Sequence, residues 1–164
     1  MPQPTNVLIV DDETELRKSL ESDLGEIGFK TFSAENGREA LEIVKRNNID
    51  IILSDLNMPE MSGVELLKNL RVIGFYRPFI VLSGYGSRDE AISLLRDGAY
   101  TFLAKPVSFD DLKSSLLDAS RYAEILTKAK DSIKTKLGVD DKDMAGHIEE
   151  AVYALARIKA LGQR

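Results

Sequence analysis

Cysteine is absent from the 164-residue chain, and histidine occurs once, at His147. The first absence excludes disulfide frameworks, thiolate metal centres and cysteine nucleophiles; the second excludes a multi-histidine metal centre. No apolar run approaches the roughly 20 residues a bilayer-spanning helix requires. Runs such as Val7 to Val10 and Phe79 to Leu82 are among the longest. Met1 to Asn6 lacks the basic flank and apolar stretch of a secretory signal, so a cytoplasmic location without membrane contact is expected. No Gly-x-Gly-x-x-Gly follows the first strand candidate, which argues against a Rossmann nucleotide enzyme. Gly-x-Ser-x-Gly is missing too, so Ser83 is not the nucleophile of a hydrolase triad.

What remains is an ordinary globular composition, 43% apolar and 30% charged, with 22 basic against 27 acidic side chains and a net charge of −5. That balance disfavours a nucleic-acid surface. A chain near this length buries roughly 70% of its unfolded surface, enough for one domain plus a modest extension. Short apolar runs alternate with amphipathic stretches, the pattern of a parallel sheet covered by helices on both faces. The strands are expected at Asn6 to Val10, Lys30 to Ser33, Asp50 to Ser54, Phe79 to Ser83 and Tyr100 to Ala104. Their unbroken apolar centres indicate burial on both sides. Helices are expected near residues 13–26, 37–47, 63–73 and 88–97, punctuated by Gly28, Asn48, Gly74 and Gly98.

From Phe109 onward Leu112, Leu116, Ala119, Ala123, Leu126, Ile133 and Leu137 form one helical stripe, which Gly138 ends. Asp140, Asp141 and Asp143 offer N-cap chemistry, and a second stripe follows at Met144, Ile148, Ala151, Leu155 and Ile158. Residues 1–120 carry 13 basic and 20 acidic groups, whereas residues 121–164 carry 9 and 7, so the charge balance changes where the pattern does. The tail reads as a helical hairpin. Lys128, Lys130, Lys134 and Lys136, interleaved with Asp131, read as a solvated helix face. His147 reads as an exposed residue in a polar turn, and Phe75 and Tyr76 before Pro78 as loop packing.

In a parallel α/β sheet, ligands bind beyond the carboxyl ends of the strands. Here those ends carry Asp11-Asp12-Glu13, Ser54-Asp55, Ser83-Gly84 and Ala104-Lys105-Pro106. Taken singly, the first acidic run would cap a helix, Asp55 would form a turn, and Lys105 would be a surface amine. Taken together, three carboxylates, a hydroxyl and an ammonium meet in one crevice. Carboxylates so crowded disfavour joint ionisation unless a cation shares the site. Oxygen ligands without His or Cys select a hard ion, and Mg²⁺ fits better than Ca²⁺. Such a site suits phosphoryl transfer to an aspartate, with Lys105 and Ser83 offsetting charge on the phosphoryl oxygens. Asp55 stands alone at its strand end and is the expected nucleophile, while Asp11 and Asp12 are the pair suited to the ion.

Four blocks carry a family resemblance: Val7-Leu8-Ile9-Val10-Asp11-Asp12-Glu13; Asp55-Leu56-Asn57-Met58-Pro59-Glu60-Met61-Ser62-Gly63; Val81-Leu82-Ser83-Gly84; and Gly98-Ala99-Tyr100-Thr101-Phe102-Leu103-Ala104-Lys105-Pro106. In that order and spacing, residues 4–122 resemble the receiver domain of two-component response regulators, with 123–164 as a C-terminal helical extension serving dimerisation, docking or linkage. The resemblance implies a flavodoxin-like, doubly wound five-stranded parallel sheet in the order 2-1-3-4-5. It implies a signalling switch rather than an enzyme with separate turnover. Asp55 would take a phosphoryl group from a sensor histidine kinase or phosphotransfer protein. Asp12, Asp55 and the backbone carbonyl of Asn57 would bind Mg²⁺, or Mn²⁺ in its place, with Asp11 acting through water. Ser83 and Lys105 would hold the phosphoryl group, Ser83 and Phe102 would form the switch, and Lys105-Pro106 would be cis.

Two positions depart from the commonest family pattern: Phe102 replaces a tyrosine, and bulky Tyr85 stands where the family tunes water access. The wording of the fifth strand is most similar to receivers of the nitrogen-regulatory type, which usually continue into an ATPase module that this length does not accommodate. Two readings of the output stay open. The chain acts alone, with a homodimer through helix five and the tail, or it is the receiver part of a longer regulator whose effector lies beyond residue 164.

Overall fold

A computed structural model describes residues 4–84, 88–138, 147 and 150–154. The elements are β1 (Asn6–Val10), α1 (Thr14–Glu26), β2 (Lys30–Ala34), α2 (Gly37–Arg46), β3 (Ile51–Asp55), α3 (Gly63–Val72), β4 (Phe79–Ser83), α4 (Arg88–Arg96), β5 (Thr101–Ala104) and α5 (Phe109–Leu137). The five strands form one parallel sheet ordered β2-β1-β3-β4-β5, as the resemblance implied.

Successive strand residues point to opposite faces, and both faces here are apolar. On one, Leu8, Val10, Ile52, Phe79 and Val81 pack with Ala40, Leu66, Leu67, Leu70 and Leu94, which places α2, α3 and α4 on that side. On the other, Val7, Ile9, Ile51, Leu53, Ile80 and Leu82 meet Leu20 and Leu24 of α1 and Leu112, Leu116 and Ala119 of α5. Helices on both faces explain why β1, β3 and β4 read as unbroken apolar runs.

Four strand boundaries, on three strands, differ from the sequence reading by one residue. Strand β2 reaches Ala34, whose carbonyl accepts from the Asp11 N–H. Strand β3 starts at Ile51; just before it, the Asp50 N–H donates to the Asn6 carbonyl and the Asp50 carboxylate accepts from the Asn6 N–H, each at 2.9 Å. It ends at Asp55, which pairs with Leu82. The expected nucleophile therefore belongs to the ladder and not to the loop after it. Strand β5 starts at Thr101.

Helix α5 is 29 residues long, about 44 Å at 1.5 Å per residue. It starts on a Ser108 cap and ends at Gly138 in the left-handed conformation (φ 63°). Its buried positions Leu112, Leu116, Ala119, Ala123 and Leu126 are spaced by fours and threes, as the stripe required. Residues 122 and 123 lie within this unbroken helix. Buried Arg77 secures the stretch beyond them, donating to the Ala123 carbonyl at 2.9 Å and to Thr127 Oγ1 at 2.8 Å.

The tail departs from the second stripe. Ala151, expected inside it, is exposed, while Tyr153, outside it, is buried. An alanine has little surface to gain by burial; the tyrosine ring has far more. His147 is helical rather than in a turn, and its side chain is largely exposed. Asp140, Asp141, Asp143, Met144, Ile148, Leu155 and Ile158 lie outside the described residues.

Candidate functional site

Parallel register brings the strand ends level. Val10 pairs with Ser54, Asp55 with Leu82, and Ser83 with Ala104, so Asp11, Asp55, Ser83 and Lys105 emerge along one edge of the sheet. Asp11 is 1% exposed, Asp55 9% and Ser83 1%, whereas Asp12 faces solvent. Buried carboxylates persist only with hydrogen bonds and countercharge. Asp11 Oδ1 accepts from the Glu13 N–H at 2.9 Å, and its Oδ2 accepts from Lys105 Nζ at 2.9 Å. Asp55 Oδ1 accepts from the Leu56 N–H at 2.7 Å, and its Oδ2 lies 3.4 Å from the same ammonium. Burial pulls the Lys105 pKa down, but the Asp11 hydrogen bond and the charges of Asp11 and Asp55 outweigh it, and the pKa is raised.

Oxygen atoms of Asp11, Asp12 and Asp55 all lie within 4.8 Å of one another. In their ionised forms, three carboxylates against one ammonium leave two negative charges unbalanced. A divalent cation matches that deficit, and an all-oxygen donor set selects a hard ion over zinc or copper. Among the described residues no hydrogen bond or ion pair engages the Asp12 carboxylate, so it offers oxygens that Asp11 has already committed. The residues present fit Mg²⁺.

The other sequence-derived positions are placed less directly. Asn57 is exposed, two residues past Asp55 in the loop before α3. Ser83 ends β4, and its carbonyl accepts from the Lys105 N–H at 2.8 Å, which ties the fifth strand end to the fourth. Phe102 is half-buried and packs on the face occupied by α2, α3 and α4. The Lys105–Pro106 peptide is cis. Tyr85 lies outside the described residues.

Two contributors escaped the sequence reading. Arg17, one turn into α1, donates from Nη1 to the Asp11 carbonyl at 2.6 Å and fixes the backbone between the paired aspartates. Gly63 starts α3 against the end of β3, where a Cβ would stand 2.2 Å from the Asp55 carbonyl oxygen. Its N–H donates to the Leu56 carbonyl at 2.9 Å, and a Ser62–Glu65 capping box closes the same turn. The arginine left no local signal. The glycine did, as the last residue of the block that begins at Asp55.

Residues 7–117 match the response regulator receiver domain family. The chain is 36% identical over 126 residues to the sensor histidine kinase RcsC of Escherichia coli strain K12, covering 77% of this chain and 13% of that protein. It is 39% identical over 114 residues to the response regulator protein PilR of Pseudomonas aeruginosa, covering 70% and 26%. It therefore spans only about an eighth to a quarter of these curated relatives. The solved CheX–CheY–BeF3–Mg²⁺ complex from Borrelia burgdorferi contains a similar fold, with a TM-score of 0.67 and 32% identity over 70% of this chain and 88% of that one. Acidic strand ends, a lysine on the fifth strand and a 2-1-3-4-5 parallel sheet thus converge with the family match: the chain belongs to the receiver domain family of two-component response regulators.

Proposed function

We propose that the chain is a phosphorylation-activated switch of a two-component phosphorelay, with Asp55 as phosphoacceptor and a sensor histidine kinase or phosphotransfer protein as donor. The observation that carries this reading is the meeting of three carboxylates within 4.8 Å, two of them within 3.4 Å of one ammonium, at the ends of parallel strands. An Asp55 oxygen forms the new O–P bond while the donor's P–N bond breaks. The imidazole leaves with the electron pair and takes up a proton. Lys105, already beside Asp55, turns its ammonium to a phosphoryl oxygen, and the Ser83 hydroxyl serves another. Asp12, Asp55 and the Asn57 carbonyl would hold Mg²⁺ or Mn²⁺, with Asp11 joined through water. Bound there, the ion supplies charge compensation for the transferring group. The BeF3–Mg²⁺ pair named in the Borrelia complex supports that assignment by similarity.

Output follows from which arrangement phosphorylation stabilises. Ser83 and the half-buried Phe102 are the switch positions, and Tyr85 tunes the lifetime of the acyl phosphate. Exposed Ile92 and Leu95 on α4 and Phe109 and Leu117 on α5 supply an apolar readout face, a route to a homodimer through α5 and the tail. The switch turns over no separate substrate and contacts no nucleic acid through this chain. Among the described residues no helix is long and apolar enough to cross a membrane, which supports a cytoplasmic setting. A second reading is favoured by the coverage of relatives: the chain is the receiver part of a longer regulator with an effector module beyond residue 164.

Beryllofluoride with Mg²⁺ mimics the phosphoryl group. It is expected to shift amide resonances along β4, α4 and β5 in the wild-type protein and to leave Asp55→Ala unchanged. Equal responses in both proteins reject Asp55 as the acceptor.

A further inference from the structure

The pole of the sheet opposite the acidic site carries an aromatic cluster that the switch does not use. Tyr153 of the tail sits 6.0 Å from the Tyr76 ring and 6.4 Å, edge to face, from the Tyr122 ring. The Arg71 guanidinium lies 5.4 Å over the Tyr153 ring and 5.5 Å over that of Tyr76. Tyr153 is 8% exposed, and its hydroxyl donates to the Gly98 carbonyl at 2.6 Å, the same oxygen that takes Arg71 Nη2 at 2.7 Å. Gly98 has φ 106°, and a Cβ there would come within 3.2 Å of Arg71 Nε and 3.4 Å of the Tyr153 hydroxyl. The turn between α4 and β5 thus leaves space for both side chains.

We propose that Arg71, Tyr76, Gly98 and Tyr122 form an acceptor surface for the chain's own tail helix, which docks in cis through Tyr153 and Glu150. The four acceptor residues come from the end of α3, the loop before β4, the turn before β5 and the middle of α5, so the surface exists only in the folded domain. Sequence distance supports docking in cis. Tyr122 lies 16 residues before Gly138 and Tyr153 lies 15 after it, so the connecting chain is long enough to bring one ring back to the other. Glu150, three residues before Tyr153, stands on the same helix side, and its charge acts on the Tyr76 phenol. The tyrosine supplies what this surface asks for: a flat ring for the arginine and its two neighbours, and a hydroxyl for a carbonyl that the strand ladder does not use. Docking joins residues 150–154 to the receiver as one cooperative unit.

The test uses the full chain in thermal unfolding. Tyr153→Ala is expected to lower the midpoint by about 5 °C, a deletion of one ring in a chain of this size. Tyr153→Phe, which keeps the ring, is expected to lose less. In an Arg71→Ala background the Tyr153→Ala loss should fall to less than half, because the two side chains share one contact. An unchanged midpoint for Tyr153→Ala, or equal losses in both backgrounds, overturns the proposal.

Glu150→Gln gives a second readout that survives any folding defect of the arginine variant. Burial and then the Glu150 charge hold the Tyr76 phenol above the ordinary tyrosine range, so this exchange should bring the Tyr76 titration, followed at its own assigned ring resonance, to lower pH. No movement counts against docking. Light scattering decides between cis and trans. A mass that Tyr153→Ala leaves unchanged supports docking in cis, and a dimer lost on Tyr153→Ala overturns it, since the rings then pair between copies.

Discussion

Gly63→Ala is expected to destabilise the protein by about 3 kcal/mol, the upper range for forcing extra atoms into a packed site. The reason is local. A Cβ at position 63 would stand 2.2 Å from the Asp55 carbonyl oxygen, 3.0 Å from Leu56 Cα and 3.1 Å from the Asp55 carbonyl carbon. All three are backbone atoms, so no side chain can turn aside. Relief requires α3 to move away from the end of β3, which stretches the Gly63 N–H bond to the Leu56 carbonyl and the adjoining Ser62–Glu65 box. The Asp55 carboxylate moves with its backbone, so the variant should also lose at least tenfold in beryllofluoride affinity. Urea denaturation and a beryllofluoride titration check the two effects. A fully stable Gly63→Ala protein with unchanged affinity would mean that β3 and α3 do not approach as closely as described.

Lys105→Met is expected to cost about 2 kcal/mol in the absence of divalent ions, because removing one partner strands the other as a buried charge. Asp11 is nearly inaccessible, and its Oδ2 takes the Lys105 ammonium at 2.9 Å. The lysine is itself one-fifth exposed, which moderates the loss. Millimolar Mg²⁺ should raise the midpoint of the variant more than that of the wild type, since it restores the missing positive charge. The pH dependence follows from the raised Lys105 pKa, set by burial against the stronger pull of Asp11 and Asp55. A pKa higher in the folded state adds stability that is complete below the unfolded lysine value, about 10.4, and is lost as pH rises through the folded one. The gap between wild type and variant should hold steady through neutral pH and close only in the alkaline range. A gap that closes near neutrality, or no gap at all, contradicts this account of the site's electrostatics.

The sheet was legible because β1, β3 and β4 bury both faces and must read as continuous apolar runs, while charged stretches between them alternate at helical spacing. Asp11, Asp12, Asp55, Ser83 and Lys105 were legible because each directly follows or ends such a run, and a parallel sheet collects those ends at one edge. Strand order is a different matter. Runs such as Val7 to Val10 carry no mark of which neighbour they pair with, so the 2-1-3-4-5 order came from resemblance and now stands in the ladder register. Arg17, half-buried near the start of α1, reaches the site through a long side chain, which no local pattern announces. The burial of Tyr153 in place of Ala151 escaped that reading for a related reason. A helical stripe records regular spacing along one element, whereas Tyr153 is buried by single residues from four separate segments.

If the site works as proposed, Asp55 at the acidic edge of the sheet takes up a phosphoryl group with help from a divalent ion. The direct measurement is peptide mass mapping after incubation with a small-molecule phosphodonor, with Mg²⁺ present and with Mg²⁺ removed by chelation. One phosphoryl group per chain is expected, confined to the peptide that contains Asp55, sensitive to alkali as an acyl phosphate is, and absent without the ion. Phosphoryl uptake at another residue, or uptake at Asp55 that is indifferent to the ion, would contradict the proposal.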